Sequence, residues 1–183
     1  LLPSKNQIYN KKQSMKLKLH KKDKILCAKY RKGHFEGVLA VINQFLKYIK
    51  AKYMFLGEKD YQQIYLIKKL IKTKFNTKII ICKTIRLKNS LAYSSRNNLL
   101  QKKDVGIASK VSKKLKYFYS SVKINFKNIK NLNKIKKEIV KYGIKLEYLE
   151  IRNKYNFSKK INKSNFKLFI AYYISEVRLI DNF

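Results

Sequence analysis

Tyr53-Met54-Phe55-Leu56-Gly57-Glu58-Lys59-Asp60-Tyr61-Gln62-Gln63 is the stretch whose reading decides the fold. Four apolar residues, Tyr53 to Leu56, read as a short buried strand, and Gly57 breaks the run. Behind it Tyr61, Ile64, Leu66, Ile67, Leu70 and Ile71 recur at roughly helical spacing. A strand, a glycine turn and a helix start make a place where an α/β protein can hold a phosphate. Backbone N–H groups are unpaired at a helix N-terminus, and the helix dipole favours an anion there. Lys59 adds a full positive charge, and Asp60 can cap the helix or accept a hydrogen bond from a sugar hydroxyl. The plainer reading of Gly-Glu-Lys-Asp is a solvated loop.

A second stretch bears on that choice. Leu91 to Asn98 reads L-A-Y-S-S-R-N-N, in which two hydroxyls and a guanidinium in a row are phosphate-oxygen donors on a short loop. A Ser-Ser-Arg-Asn turn held by its own side-chain to backbone bonds is the plain alternative.

Working outward, Leu1-Leu2 followed by Pro3-Ser4 reads as the end of a strand and its turn. Gln7 to Asp23 is polar and Lys-rich, with a short strand expected at Met15 to Leu19. From His34, the residues Phe35, Val38, Leu39, Ile42, Phe45, Leu46 and Ile49 mark one face of a helix. A helix over Tyr61 to Lys74 and a strand over Lys78 to Cys82 complete a parallel β–α–β unit, and a domain boundary is expected near Lys83-Thr84. Beyond it, helical spacing marks Asp104 to Tyr119 and Leu132 to Tyr142, with Gly143 as a C-cap. Ile144 to Ile151, Phe166 to Ile174 and Val177 to Ile180 read as strands, with a polar loop over Arg152 to Asn165 between the first two.

The formal net charge of +35 invites a nucleic-acid reading, but the composition argues against one. Of 45 basic residues only five are Arg (Arg31, Arg86, Arg96, Arg152 and Arg178), and the rest are Lys spread almost evenly. Lys, Asn, Ile, Tyr and Phe are favoured by A- and T-rich codons, so drift in a low-GC genome produces this composition without a polyanionic partner. Base readout favours the bidentate Arg fork, which is scarce here. No nucleic acid is therefore expected as partner. Cys27 and Cys82 have no metal or redox spacing, and two lone thiols fit small core positions in a protein of the reducing cytoplasm. No run of about eighteen apolar residues exists, so no membrane span is expected.

Four blocks together resemble pantothenate synthetase, the pantoate–β-alanine ligase family. The family pattern F-G-E-K-D-Y-Q-Q is present with Leu56 in the slot before Gly57. V-R-E-x-D-G-L-A-x-S-S-R-N appears as I-R-L-K-N-S-L-A-Y-S-S-R-N, Ile85 to Asn97. C-G-x-x-R-P-G-H-F-x-G-V appears as C-A-K-Y-R-K-G-H-F-E-G-V, Cys27 to Val38, and R-L-I-D-N stands from Arg178 to Asn182. Their order and spacing agree over essentially the whole chain.

The resemblance implies an α/β fold: the C-terminal part of a Rossmann-like, nucleotidylyltransferase-type parallel-sheet domain over 1–83. A small α+β lid domain with antiparallel strands would follow over 84–183. It implies an AMP-forming ligase that joins pantoate to β-alanine at the expense of ATP, with Mg2+. It places Gly57, Glu58, Lys59, Asp60, Ile85, Tyr93, Ser94, Ser95 and Arg96 on ATP, and Gln63 on pantoate. In that scheme Ile85 offers backbone groups to the adenine edge and Asp60 meets the ribose. A homodimer is expected of the full-length family.

The departures carry expectations of their own. Lys32 stands where the family has Pro, so the turn before His34 is expected to be looser. Asn89-Ser90 replaces Asp-Gly, and loss of the glycine is expected to strain that turn. The family's H-x-G-H phosphate motif is not found in these residues, so no catalytic residue is assigned and the 183-residue chain alone is expected to have little or no ligase activity. A non-catalytic remnant or a subunit of a split enzyme is the alternative, with a basic nucleic-acid binder behind it.

Overall fold

The computed structural model describes residue 4 and residues 17–183. The strand end expected at Leu1-Leu2, Pro3 and the first residues of the strand expected from Met15 lie outside the described residues. Leu17 to Leu19 form no strand. The chain divides into two compact units, Leu1–Cys82 and Lys83–Phe183.

In the first unit a single turn α1 (Cys27–Tyr30) leads into α2 (His34–Tyr48), then β1 (Tyr53–Gly57), α3 (Tyr61–Lys74) and β2 (Lys78–Cys82). Gly33, with φ +78, is the N-cap of α2, a left-handed turn that favours a residue without Cβ. Strands β1 and β2 pair in parallel, Tyr53 opposite Lys78 through Gly57 opposite Cys82, as the β–α–β spacing predicts. α3 presents Ile64, Leu66, Ile67, Leu70 and Ile71 to the interior. On α2 the buried face is Phe35, Leu39 and Leu46 together with Asn43 and Gln44, whereas Ile49 is exposed.

One expectation fails here. β1 is not a buried strand: alternate residues face solvent, with Tyr53 45% and Phe55 68% exposed. The period-2 alternation of a strand is kept despite an all-apolar sequence. Gly57 also ends the strand in extended geometry (φ −70, ψ 128), and the turn proper is a 3-10 turn over Glu58–Asp60. Cys82 is likewise exposed at the end of β2, so only Cys27 fills the expected core position.

The second unit contains α4 (Lys102–Ile124), α5 (Leu132–Val140) and an antiparallel sheet of β3 (Lys145–Asn153), β4 (Phe166–Ile174) and β5 (Val177–Asn182), in the order β3-β4-β5. α4 is longer than the spacing predicts at both ends. Val122 continues its apolar stripe and is fully buried, and Asn125 is the C-cap. Val111, Leu115, Phe118 and Val122 of α4 pack with Ile135 and Ile139 of α5 against Leu168, Ile170 and Ile174 of β4. Each such side chain contributes about 2 kcal/mol by leaving water. Gly143, at φ +84, ends the turn after α5, and β3 follows two residues later. No helix of the described residues is long and apolar enough to cross a membrane.

Candidate functional site

The first group of predicted site residues stands where β1 ends and α3 begins. Gly57 closes the strand, Glu58, Lys59 and Asp60 form the 3-10 turn, and Gln63 lies in the first turn of α3. The N-cap position of α3 is Asp60, but its side chain makes no capping hydrogen bond. The expected cap is therefore absent. Asp60 has instead turned toward Lys59, whose Nζ is 3.8 Å from Oδ2, a loose pair beside helix N–H groups that the N-cap side chain leaves uncapped. Glu58, Lys59, Asp60 and Gln63 are all half-buried, and Gly57 is exposed.

The second group lies in the second unit, on a small hairpin and the turn after it. Arg86 bridges Ala92 in antiparallel fashion, Leu87 N–H donates to Leu91 O at 2.9 Å, and Tyr93 N–H donates to Ile85 O at 2.9 Å. Ile85 and Tyr93 therefore face one another across the hairpin, and their side chains are 75% and 67% exposed. Ser94 is the N-cap of the 3-10 turn Ser95–Leu99 and its Oγ accepts from Arg96 N–H at 3.3 Å. That bond leaves the hydroxyl proton of Ser94 as a donor. Arg96 is half-buried and Ser95 exposed. The turn thus combines both readings of Ser-Ser-Arg-Asn: it is held by its own side chains and still presents hydroxyls and a guanidinium.

The hairpin is fixed more firmly than its sequence announces. Ser90 sits at φ +73, in the region that favours glycine, in keeping with the strain expected from loss of the family's glycine. Its carbonyl accepts from Ser112 Oγ at 2.7 Å and Arg86 Nη1 at 3.1 Å, and the carbonyl of Asn89 accepts from Ser109 Oγ at 2.7 Å. Arg86 then grips Asp181 of β5 and donates to Asn182 O at 3.1 Å. Sequence reasoning assigned no role to Ser109, Ser112 or Asp181. The available signal was the i, i+3 spacing of the two serines on α4, and the persistence of Arg86 in a chain poor in arginine.

Among the described residues no three His, Cys, Asp or Glu side chains converge on a point that could hold a metal. Tyr172 is held above the ordinary tyrosine range by burial and by the charge of Asp181.

The family model described as pantoate-beta-alanine ligase matches residues 1–183. The pantothenate synthetase of Francisella tularensis subsp. mediasiatica is 42% identical over 160 residues, 87% of this chain and 53% of that protein. The crystal structure of pantoate-beta-alanine ligase from Francisella tularensis, complexed with beta-gamma ATP and beta-alanine, superimposes with a TM-score of 0.79. It is 37% identical and the match covers 99% of this chain and 62% of that one. Pantothenate synthetase from Thermus thermophilus shares the fold at a TM-score of 0.84, 21% identity and coverage of 99% and 67%. The chain thus spans about half the length of the curated relatives it matches. By a match that runs from its first residue to its last, the chain belongs to the pantoate–β-alanine ligase family.

Proposed function

We propose that the chain carries the part of a pantothenate synthetase that receives the ATP phosphates and pantoate. The observation that supports this most is the Gly57–Asp60 turn at the carboxyl end of β1 in a parallel β–α–β unit, in a chain that the family match covers throughout. An open α/β sheet binds its ligands at that end of its strands.

In the reaction, the pantoate carboxylate attacks the α-phosphorus of ATP, and the bond to the oxygen that bridges to the β-phosphorus breaks. Pantoyl-adenylate and diphosphate result. The amine of β-alanine then attacks the acyl carbon, AMP leaves, and the amine proton passes to solvent. An anionic nucleophile must approach an anionic triphosphate, so fixed cations and N–H donors are the main requirement. The α3 N-terminus and Lys59 offer such groups, and so do Ser94, Ser95 and Arg96. Asp60 meets the ribose, Glu58 and Tyr93 flank the nucleotide, and Ile85 offers its backbone to the adenine. Gln63 donates its amide to pantoate. Mg2+ would arrive on the phosphates, its usual mode with nucleotides.

These residues carry no H-x-G-H motif, which supports the further reading that the chain holds half of the ATP site and forms little pantothenate alone. Dimerisation and a cytoplasmic setting belong to the same reading. The test is pantothenate formation from pantoate, β-alanine, ATP and Mg2+. It is run with the chain alone and with an added recombinant segment bearing the H-x-G-H motif. Product is expected in the mixture, and Lys59→Ala should reduce it by about tenfold or more. A chain that binds no ATP and yields no product in the mixture would favour the non-catalytic alternative instead.

A further inference from the structure

α3 carries polar side chains that the candidate site does not use. Gln62, Tyr65 and Lys69 stand at i, i+3 and i+7 and so share one face of the helix. All three reach back to the segment before α1. Gln62 Nε2 donates to Ile25 O at 2.8 Å and to Asp23 O at 3.3 Å. Tyr65 donates to Asp23 Oδ1 at 3.4 Å, and Lys69 Nζ to Oδ2 at 2.5 Å. Asp23 and Gln62 are only 6% and 7% exposed. Among the described residues the oxygen of Gln62 has no donor, so the contacts that orient the amide there come from its NH2 end.

The segment held in this way is strained. Ile25 O also accepts from Ala28 N–H at 3.0 Å, which closes a four-residue turn. Leu26, its first central residue, has φ 47 and ψ −130. These are close to the values of a type II′ turn, where glycine is the usual occupant. A leucine persists in such a place only when its surroundings over-determine it. Here the leucine is 2% exposed and the carbonyl that opens the turn is tied to Gln62.

The strained turn leads through α1 directly to His34, the first residue of α2. Gln62 itself stands in the first turn of α3, so its bond to Ile25 O places the Leu26 turn beside that first turn. We infer that Gln62 is a positioning residue. By holding the Leu26 turn it sets the path of residues 26–34 and the entry to α2, alongside the first turn of α3 in which Gln63 stands. The consequence for ligand rests on the reading of Gln63 as a pantoate contact.

Two variants of the 183-residue chain separate this role from general support. Lys69→Met loosens Asp23 only, whereas Gln62→Met keeps the side-chain length and frees the Ile25 carbonyl as well. Amide exchange is followed over 26–34, and (R)-pantoate affinity by calorimetry. Exchange over 26–34 should be about tenfold faster in Gln62→Met than in Lys69→Met. Pantoate should bind about fivefold more weakly to Gln62→Met, and to Lys69→Met as it does to the unmodified chain. Equal exchange in the two variants overturns the proposal. A chain that takes up no pantoate overturns the Gln63 reading, and exchange then decides the role of Gln62 alone. Should Gln62→Met not fold, Gln62→Asn, whose shorter amide does not reach Ile25, takes its place.

Discussion

Arg86 holds Asp181 with both arms of its guanidinium, Nη1 to Oδ2 at 2.7 Å and Nη2 to Oδ1 at 2.9 Å. The two residues are 95 positions apart, one on the hairpin that carries Tyr93 to Arg96 and the other on the last strand. The Arg86 guanidinium also lies 4.4 Å from the ring centroid of Phe183. Asp181 is 8% exposed, so neither water nor another cation can replace the guanidinium cheaply. The R-L-I-D-N block thus serves the second loop by fixing its base.

Removing one partner leaves the other charge buried. Asp181→Asn should therefore lower the unfolding free energy by about 3 kcal/mol, at the low end for a broken buried pair because Arg86 retains some exposure. Arg86→Lys should cost nearly as much, since a point ammonium cannot span both carboxylate oxygens and the Asn182 carbonyl together. Urea unfolding of the two variants beside the unmodified chain checks this. A loss below about 1 kcal/mol would mean that the pair behaves as a surface ion pair.

Ser90 stands at φ +73 and its backbone carbonyl is what Ser112 and Arg86 hold. Replacing it by glycine removes the left-handed penalty but adds freedom to the unfolded chain. The first term is larger, so Ser90→Gly should stabilise by about 0.5–1 kcal/mol. Calorimetry should show a rise in Tm of about 2 °C. A fall would show that the serine side chain makes a contact worth more than the strain.

What the sequence reveals of this fold depends on how local the cause is. The β1–α3–β2 unit was legible because Tyr61 to Ile71 repeats at helical spacing between two apolar runs, and both periods are local properties. The exposure of Phe55 was not legible, because it depends on which faces the helices cover. The same holds for the site. Lys59 and Ser94 to Arg96 are contiguous and their donors can be counted. The serines of α4 and Asp181 contribute by reaching backbone carbonyls and a guanidinium far along the chain, which no spacing reports. Leu26 gave no signal, since a left-handed leucine is imposed from outside by Gln62 and burial.

Asp23 and Lys69 give a stability component with a definite sign. Partial burial pulls the Lys69 ammonium down, but the hydrogen bond and charge of Asp23 outweigh it and hold its pKa above the ordinary value. A raised folded pKa means stability that is fully present below the unfolded lysine value of about 10.4 and lost as pH rises through the folded one. The difference in stability between the unmodified chain and Lys69→Met should therefore narrow above about pH 10.4, whatever the absolute curve does. A difference that stays constant to about pH 12 would mean that Asp23 is not the partner that matters.

With 45 basic residues against ten acidic ones, an exposed charge meets another cation far more often than an anion. Salt then acts on two opposed terms. It weakens ion pairs, but the pairs that matter here, Arg86–Asp181, Arg178–Glu147 and Lys69–Asp23, each have a partner less than 10% exposed, where screening is weak. It also weakens repulsion among surface lysines, which are many and accessible to counterions. Repulsion should dominate the response. The urea midpoint is expected to rise as NaCl goes from about 20 mM to about 300 mM, a range over which the Debye length falls from roughly 20 Å to below 10 Å. Urea is the denaturant to use, since guanidinium chloride is itself a salt and would screen the charges while unfolding the chain. A flat or falling midpoint would mean that the lysines are already spaced beyond one another's reach, and that the net charge of +35 carries no penalty for folding.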